Sequence, residues 1–520
     1  MLLRYFHTLR YLKLTQVYFQ LYYKLRRVFR KLRKHKLAFN YYKKGAALNF
    51  NEAMPKAYES YSFRDNQHHF SFLNLQTSFD YIDWDYAAHG KLWTYNLNYF
   101  NFLNQESIHK EEGLLLIRDF IPQLPQLKNA NEPYPISLRG INWIKFLSKH
   151  NISDQAIDNA LYSEYLVLMD NLEYHLLGNH LLENGFSLYI GGCYFKDEKF
   201  ITRGFDIISK ELKEQTLNDG AHYELSAMYH QILLSRLLDC ISIAKENHVD
   251  VLKVYAQKMS SWLQVISFNN GDIPLVNDAA KNIAPTTSEL IAYTKSLGIA
   301  AAKGKLSDSG YRKFDFGNSE LIVDAGKIGP SYIPGHAHAD IFNFVFYDNS
   351  APIIVDTGIS TYEKNQRRQD ERSTFSHNTV EINGANQVDV WGGFRVGKRA
   401  NVKIDQESAT EITASHNGYE KTIHQRSWKI SERGFDLLDT VKNKNVSAKA
   451  YLHFHPSCTV VIENNLIKVN NWSIHFNQSK NLYLQPFAYA EEYNKLKEST
   501  VAVIEFESSL LTSFTKATNY

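Results

Sequence analysis

The chain has 520 residues, 44% hydrophobic and 22% charged, which is the balance of a folded soluble protein and enough length for two or three domains. Its net charge of +3 is unevenly placed: residues 1–45 hold 13 Lys and Arg and no Asp or Glu, leaving 45 basic against 55 acidic residues in the body. That split argues against a nucleic-acid partner, and three cysteines without close Cys neighbours indicate neither a disulfide framework nor a zinc knuckle.

Charges interrupt the first 44 residues at Arg4, Arg10, Lys13, Lys24, Arg26, Arg27 and Arg30, so neither a secretory signal nor a membrane span is expected there. Leu21–Leu37 fits a basic amphipathic helix, with Leu21, Leu25, Val28 and Leu32 on one stripe and Lys24, Arg27, Lys31 and Lys34 on another. Such a helix either lies on an anionic membrane face or packs on the domain behind it with its basic face in solvent. The expectation is a cytoplasmic protein resting peripherally on the inner membrane through residues 1–45; the periplasm is the alternative.

From about Glu52 to Leu297 the period is helical, with helices predicted over Gly113–Ile121, Ile136–His150, Asp154–Leu177, Phe200–Thr216, Glu224–Glu246 and Val251–Phe268. Short polar links between them predict antiparallel neighbours. Near Lys303 the period changes. Short strands follow, among them Glu320–Asp324, Ile341–Tyr347, Pro352–Val355, Phe435–Val441, Ala448–His455 and Leu466–Val469, separated by turn residues such as Asn464-Asn465. Strands gathered after helices describe a multidomain α+β chain. We divide it into an arm (1–45), an α-helical domain (46–305) and an antiparallel β-sandwich (306–520).

Chemistry concentrates between Gly335 and Asn378. His336, His338 and Asp340 alternate, so on a strand they would share one face. Imidazole moves protons near neutral pH, and imidazole with carboxylate is what zinc accepts. The bland alternative is a set of hydrogen-bonded structural groups.

Gly335-His336-Ala337-His338-Ala339-Asp340, Val355-Asp356-Thr357-Gly358 and Arg372–Val380 resemble the C-terminal domain of heparinase II/III-like polysaccharide lyases. Gly178–Asn184, Asp219–Glu224, Ser226–His230 and Asn277–Ala280 resemble the helical domain of the same family, in the expected order over roughly residues 90–400. The resemblance implies an incomplete (α/α) toroid followed by an antiparallel β-sandwich. It also implies β-elimination across C4–C5 of a uronic acid in an acidic polysaccharide or oligosaccharide. Such an enzyme must offset the carboxylate charge, remove the C5 proton and protonate the leaving oxygen. By resemblance Asn179 holds the carboxylate with His180 beside it, Tyr229 is the acid, with the role of base as its alternative, and His336 is the second proton-transfer group. By pattern alone, Asn179 could be a helix cap and Tyr229 a core tyrosine.

The resemblance further implies a zinc ion held by His338, Asp356 and His377. Arg139, Trp143, Tyr223 and Arg372 are the substrate-binding candidates, with Trp143 either stacking on a sugar or filling the core. Arg367 and Arg368 are expected in a solvated loop. A uronate C5-epimerase begins with the same proton abstraction and is the alternative activity; a non-catalytic glycan-binding protein of a surface-polysaccharide system is the alternative class.

Overall fold

The computed structural model describes residues 2–32, 41–300, 302, 304–443 and 446–517. Two helices form the arm: α1 (Leu2–Leu9) and α2 (Leu14–Leu32). The predicted arm helix thus starts earlier than Leu21, and its end at Leu37 lies outside the described residues.

A small antiparallel sheet of Tyr61–Arg64, Gln67–Phe72 and Leu75–Phe79 opens the helical half, which the helical period did not anticipate. Its two turns, Asp65-Asn66 and Leu73-Asn74, have φ between 53° and 62° at every position. This is the hairpin turn whose twist matches the strands.

The helices that follow are α3 (Lys91–Tyr99), α4 (Lys110–Gln123), α5 (Pro133–Lys149), α6 (Gln155–Asp170), α7 (Gly178–Phe195), α8 (Glu198–Gln215), α9 (Ala227–Ser242), α10 (Glu246–Ile266) and α11 (Thr287–Ser296). Local chemistry sets several starts. Asp154 and Asp197 accept backbone N–H groups at the heads of α6 and α8, and Thr286 closes a capping box with Glu289. Several predicted boundaries move: α6 ends at Asp170 instead of Leu177, α9 runs over Ala227–Ser242 instead of Glu224–Glu246, and α10 begins at Glu246 instead of Val251.

α7 is the central helix of this half; a helix start near Asn179 was expected but not its span, and Asn179 lies in the first turn instead of capping it. The helix is buried on nearly every side, so it carries no polar stripe to betray it. Its glycines are the price of close packing: a Cβ on Gly192 would stand 2.6 Å from the Ile201 backbone nitrogen of α8.

The sheets of the second half are antiparallel. A four-stranded sheet takes Tyr311–Phe316, Ser319–Asp324, Phe344–Asp348 and Ala351–Ile354 in sequence order. A second orders Asn481–Glu492, Lys495–Phe506, Ala448–His453 and Val380–Ile382. An eight-stranded sheet runs from Val402–Glu407 to Val460–Glu463, with Ser509–Lys516 returning to its middle. A short helix, α12 (Gln366–Glu371), lies between.

The predicted strand over Ile341–Tyr347 begins only at Phe344, and residues 335–343 are loop. The alternation of His336, His338 and Asp340 is therefore not a strand face. Each half has its own core, but Tyr311, Tyr332, Tyr347 and Tyr493 of the β half pack into the helical one. The two halves meet where Asn179 and Asp278 of the first touch His336 and Arg368 of the second.

Candidate active site

Turns of unusual backbone present the site. Leu177 (φ 61°) and Gly178 (φ 60°) lead into α7 and deliver Asn179 in its first turn. A Cβ at Gly178 would come within 2.9 Å of Glu224 Oε1, so only glycine fits. Leu225 (φ 58°) follows Glu224, Asn277 (φ 56°) precedes Asp278, and Ile333 (φ 36°) stands just before His336. Non-glycine residues in this region each cost about 1–3 kcal/mol and gather where function requires a particular aim.

Those turns bring four elements together. Asn179 gives its backbone N–H and its side-chain amide to Glu224, the amide at 2.9 Å. The same amide nitrogen stands 3.3 Å from His336 Nε2. His336 Nδ1 meets Asp278 Oδ2 at 2.8 Å. Asp278 accepts from that nitrogen, which leaves the Nε2 lone pair facing Asn179. The Tyr229 ring lies 3.9 Å from the His336 ring, and its hydroxyl is 3.2 Å from that of Tyr362. Burial keeps the Tyr229 phenol above its ordinary value, although Tyr362 works the other way. Tyr229 is therefore a phenol at neutral pH. Burial pushes Glu224 up, but His222, His336 and Asn179 outweigh it and hold the carboxylate below its usual range.

Asp278 joins the two halves. It also takes His338 Nε2 at 2.9 Å and both terminal nitrogens of Arg368 at 2.5 and 2.7 Å. Burial alone would raise its pKa; Arg368 and the two imidazoles place it well below. Arg368 is fully buried, which corrects its expected place in a solvated loop. Arg367 remains partly exposed on Glu371. Glu224, Asp278, Arg368 and Tyr362 have no predicted role, although Glu224 and Asp278 sit inside the motifs that carry the resemblance.

The substrate-binding expectations are corrected. Arg139 is fully buried in an ion pair with Glu164 and donates to the carbonyls of Asn98 and Ala130. Trp143 is a core residue between Phe100 and Phe120. Arg372 spends its guanidinium on the carbonyls of Ala337, Gly393 and Arg395, holding the histidine loop from beneath. Tyr223 is buried, its hydroxyl 3.0 Å from that of Tyr332. All four side chains are buried in this structure.

His180 is half-exposed beside this cluster, its Nδ1 3.0 Å from Glu173 and its ring 4.7 Å from Tyr134. Burial lowers the imidazole pKa, but Glu173 overrides it and raises the value above 6.5; burial raises Glu173, but His180 brings it below 4.5. The histidine contribution to stability is complete below 6.5 and is lost as pH rises through its raised value. The glutamate contribution is complete above 4.5 and is lost as pH falls through its lowered value. The melting-temperature gap between wild type and His180→Asn should therefore be widest between pH 4.5 and 6.5 and shrink on the alkaline side. A gap independent of pH would mean the pair does not act as an ion pair.

The expected zinc ligands are adjacent but not assembled. The His338 and His377 rings are 5.3 Å apart, and His338 Nδ1, His377 Nε2 and Asp340 Oδ2 are buried without partners. Asp356, however, is occupied: one oxygen takes His377 Nδ1 at 2.7 Å and Asn343, the other the Gly358 N–H. Among the described residues no group of three or more His, Cys, Asp or Glu is arranged to hold a metal ion. The two free imidazole nitrogens suit a metal by donor type, and Asp356 stands where a carboxylate orients a ligating histidine.

A family model described as Heparinase II/III N-terminus matches residues 136–296, and one described as Heparinase II/III-like, C-terminal matches residues 300–518. A heparin-sulfate lyase of Bacteroides thetaiotaomicron is 22% identical over 344 residues, covering 55% of this chain and 47% of its own. One from Bacteroides stercoris is 25% identical over 269 residues, covering 43% of this chain and 39% of its own. The chain thus spans less than half the length of these relatives. A crystal structure of heparinase III superimposes with a TM-score of 0.65 at 16% identity, over 85% of this chain and 80% of that one. A heparan sulfate lyase of Pedobacter heparinus gives 0.56 at 18% identity over the same shares. These likenesses show the expected fold, a helical toroid followed by an antiparallel β-sandwich.

Proposed function

This chain belongs to the heparinase II/III-like family, and from that premise we propose that it is a polysaccharide lyase that cleaves a uronate-containing, glycosaminoglycan-type polymer by β-elimination. The curated relatives are heparin-sulfate lyases, which makes heparan-type chains the first substrates to try.

One observation carries the reading. Tyr229, His336 and Asn179, drawn from three separate segments, converge at 3.9 Å between the rings and 3.3 Å between the amide and imidazole nitrogens. In the reaction, the substrate carboxylate takes the Asn179 N–H that otherwise faces His336. Glu224 keeps the amide oriented from behind. His336 Nε2, released from that contact, removes the C5 proton, and the pair from the C–H bond becomes the C4=C5 double bond. The C4–O bond breaks, and Tyr229 gives its proton to the departing oxygen. Asp278 stabilises the imidazolium that forms, and Tyr362 the tyrosinate. A proton passing from His336 to Tyr229 restores both groups.

The test is a screen of heparan sulfate, heparin, chondroitin sulfate and unsulfated uronate polymers, read by ultraviolet absorbance of the unsaturated product. Solvent-deuterium uptake at C5 without new absorbance would mean an epimerase, and neither signal would mean a binding protein.

Zinc is a separate proposal, supported by the two unpartnered nitrogens His338 Nδ1 and His377 Nε2. The ion would stiffen the loop that presents His336, and no proton step passes through it. Protein purified without chelator should contain one zinc per chain, and chelation should lower the melting temperature. His377→Ala should lose the metal. Metal-free protein with an unchanged melting temperature after chelation would sink this proposal.

For place, we propose the anionic cytoplasmic face of a bacterial inner membrane, where the enzyme would act on a glycan under assembly. The support is the arm.

A further inference from the structure

The arm is a strap, bound to the body by polar contacts. Lys13, just before α2, pairs with Glu214; on α2, buried Gln16 donates to the Leu176 carbonyl at 2.9 Å, and Arg26 and Arg30 pair with Asp170. Tyr23 donates to the Leu172 carbonyl, and Phe19 stacks on Tyr174 at 4.8 Å. At the α1 end the contacts are with the β half. Arg4 meets Asp389 at 2.8 Å, Trp391 donates to Thr8 at 3.2 Å, and Arg399 lies over the Tyr11 ring at 3.9 Å.

The opposite face of α2 is apolar and, among the described residues, uncovered. Leu14, Leu21, Leu25, Val28, Phe29 and Leu32 each expose more than half of their surface, Leu14 87%. Their spacing of three, four and seven makes them one continuous stripe. An ordinary surface helix buries such a stripe and leaves its charges in water; here the body takes the polar side. Single exposed leucines need no explanation, but a contiguous apolar face marks a docking surface.

Charge selects what docks there. Lys24, Arg27 and Lys31 are exposed, and residues 1–45 contain no acid that could neutralise them. Tyr18 and Tyr22 add exposed rings, the residue type that settles at the headgroup level. A second copy of this chain would set those cations against their own kind. An anionic lipid surface accepts both the apolar stripe and its cationic border. No helix among the described residues is long and apolar enough to cross a membrane.

We propose that the outward face of α2 docks on an anionic phospholipid surface and carries the folded body on its polar side. The proposal uses no residue of the active site and stands or falls apart from the assigned reaction.

Flotation of the full chain with phosphatidylglycerol-containing vesicles tests it, with phosphatidylcholine vesicles alongside. The wild-type chain should float with the anionic vesicles at low salt and much less with the neutral ones or at high salt. Leu21→Glu with Leu25→Glu should cut the bound fraction by about a hundredfold, and Lys24→Gln with Arg27→Gln by about tenfold. Because these side chains face away from the body, melting temperature and turnover of soluble polymer should not move. A chain that stays with the pellet in every mixture overturns the proposal, as does a double-Glu variant that floats like wild type. So does light scattering that finds a dimer dissociated by the two Glu substitutions, which would assign the face to a second copy.

Discussion

Tyr229→Phe is expected to lower kcat by about 10²–10⁴-fold on the cleaved polymer, with the fold and KM little changed. The ring stays, so its packing on His336 at 3.9 Å is kept and only the hydroxyl is lost. What disappears is the proton for the departing glycosidic oxygen. An alkoxide departing from C4 without a proton is a poor leaving group near neutral pH, and among the described residues no other tyrosine ring stands as close to His336. Tyr362, whose ring is 6.2 Å from that of His336, cannot take over. Steady-state kinetics by product absorbance decide it. A Tyr229→Phe enzyme within a few-fold of wild type would remove Tyr229 from the mechanism. A loss confined to KM would make it a binding residue only.

The change from helical to strand periodicity near Lys303 was legible because amphipathic helices and half-buried strands each print their repeat on the sequence. α7 left no such print, since a helix buried all round has no polar side. The small sheet at 61–79 was equally silent to a helical period; its signature is the paired turn residues, above all Asn66 and Asn74. In the site, Asn179, Tyr229 and His336 were visible through motifs, not through local pattern, and the structure brings all three together.

Arg139, Trp143, Tyr223 and Arg372 misled for a common reason. Arginine and aromatic residues recognise sugars in a cleft, but the same groups bridge carbonyls and fill cores. Sequence position does not tell which side of a helix or loop faces the site. Asp278 shows the converse. One short acidic residue after left-handed Asn277 carries no periodic signal, yet its carboxylate collects four donors from three residues that lie 58 to 90 positions away.

That convergence makes Asp278→Asn the substitution with the largest combined effect expected. An amide has one acceptor oxygen and turns an N–H₂ toward groups that are themselves donors, so at least one contact to Arg368 or to an imidazole becomes a clash of donors. Arg368 cannot shed its proton and would be left as a buried, unpaired cation. Breaking a buried ion pair in this way typically costs about 3–5 kcal/mol, enough for a clear fall in melting temperature. Activity should suffer separately, because His336 loses the acceptor that fixes its Nδ1 proton and supports the imidazolium; about 10²–10⁴-fold in kcat is the expected scale. A second substitution separates the two effects. Arg368→Leu in the Asp278→Asn background removes the stranded charge, so stability should recover in part while kcat stays low. Recovery of both would mean that Asp278 acts on catalysis only through folding. A single Asp278→Asn enzyme with normal melting temperature and kcat within about tenfold of wild type would show that the carboxylate neither holds the two halves together nor positions His336.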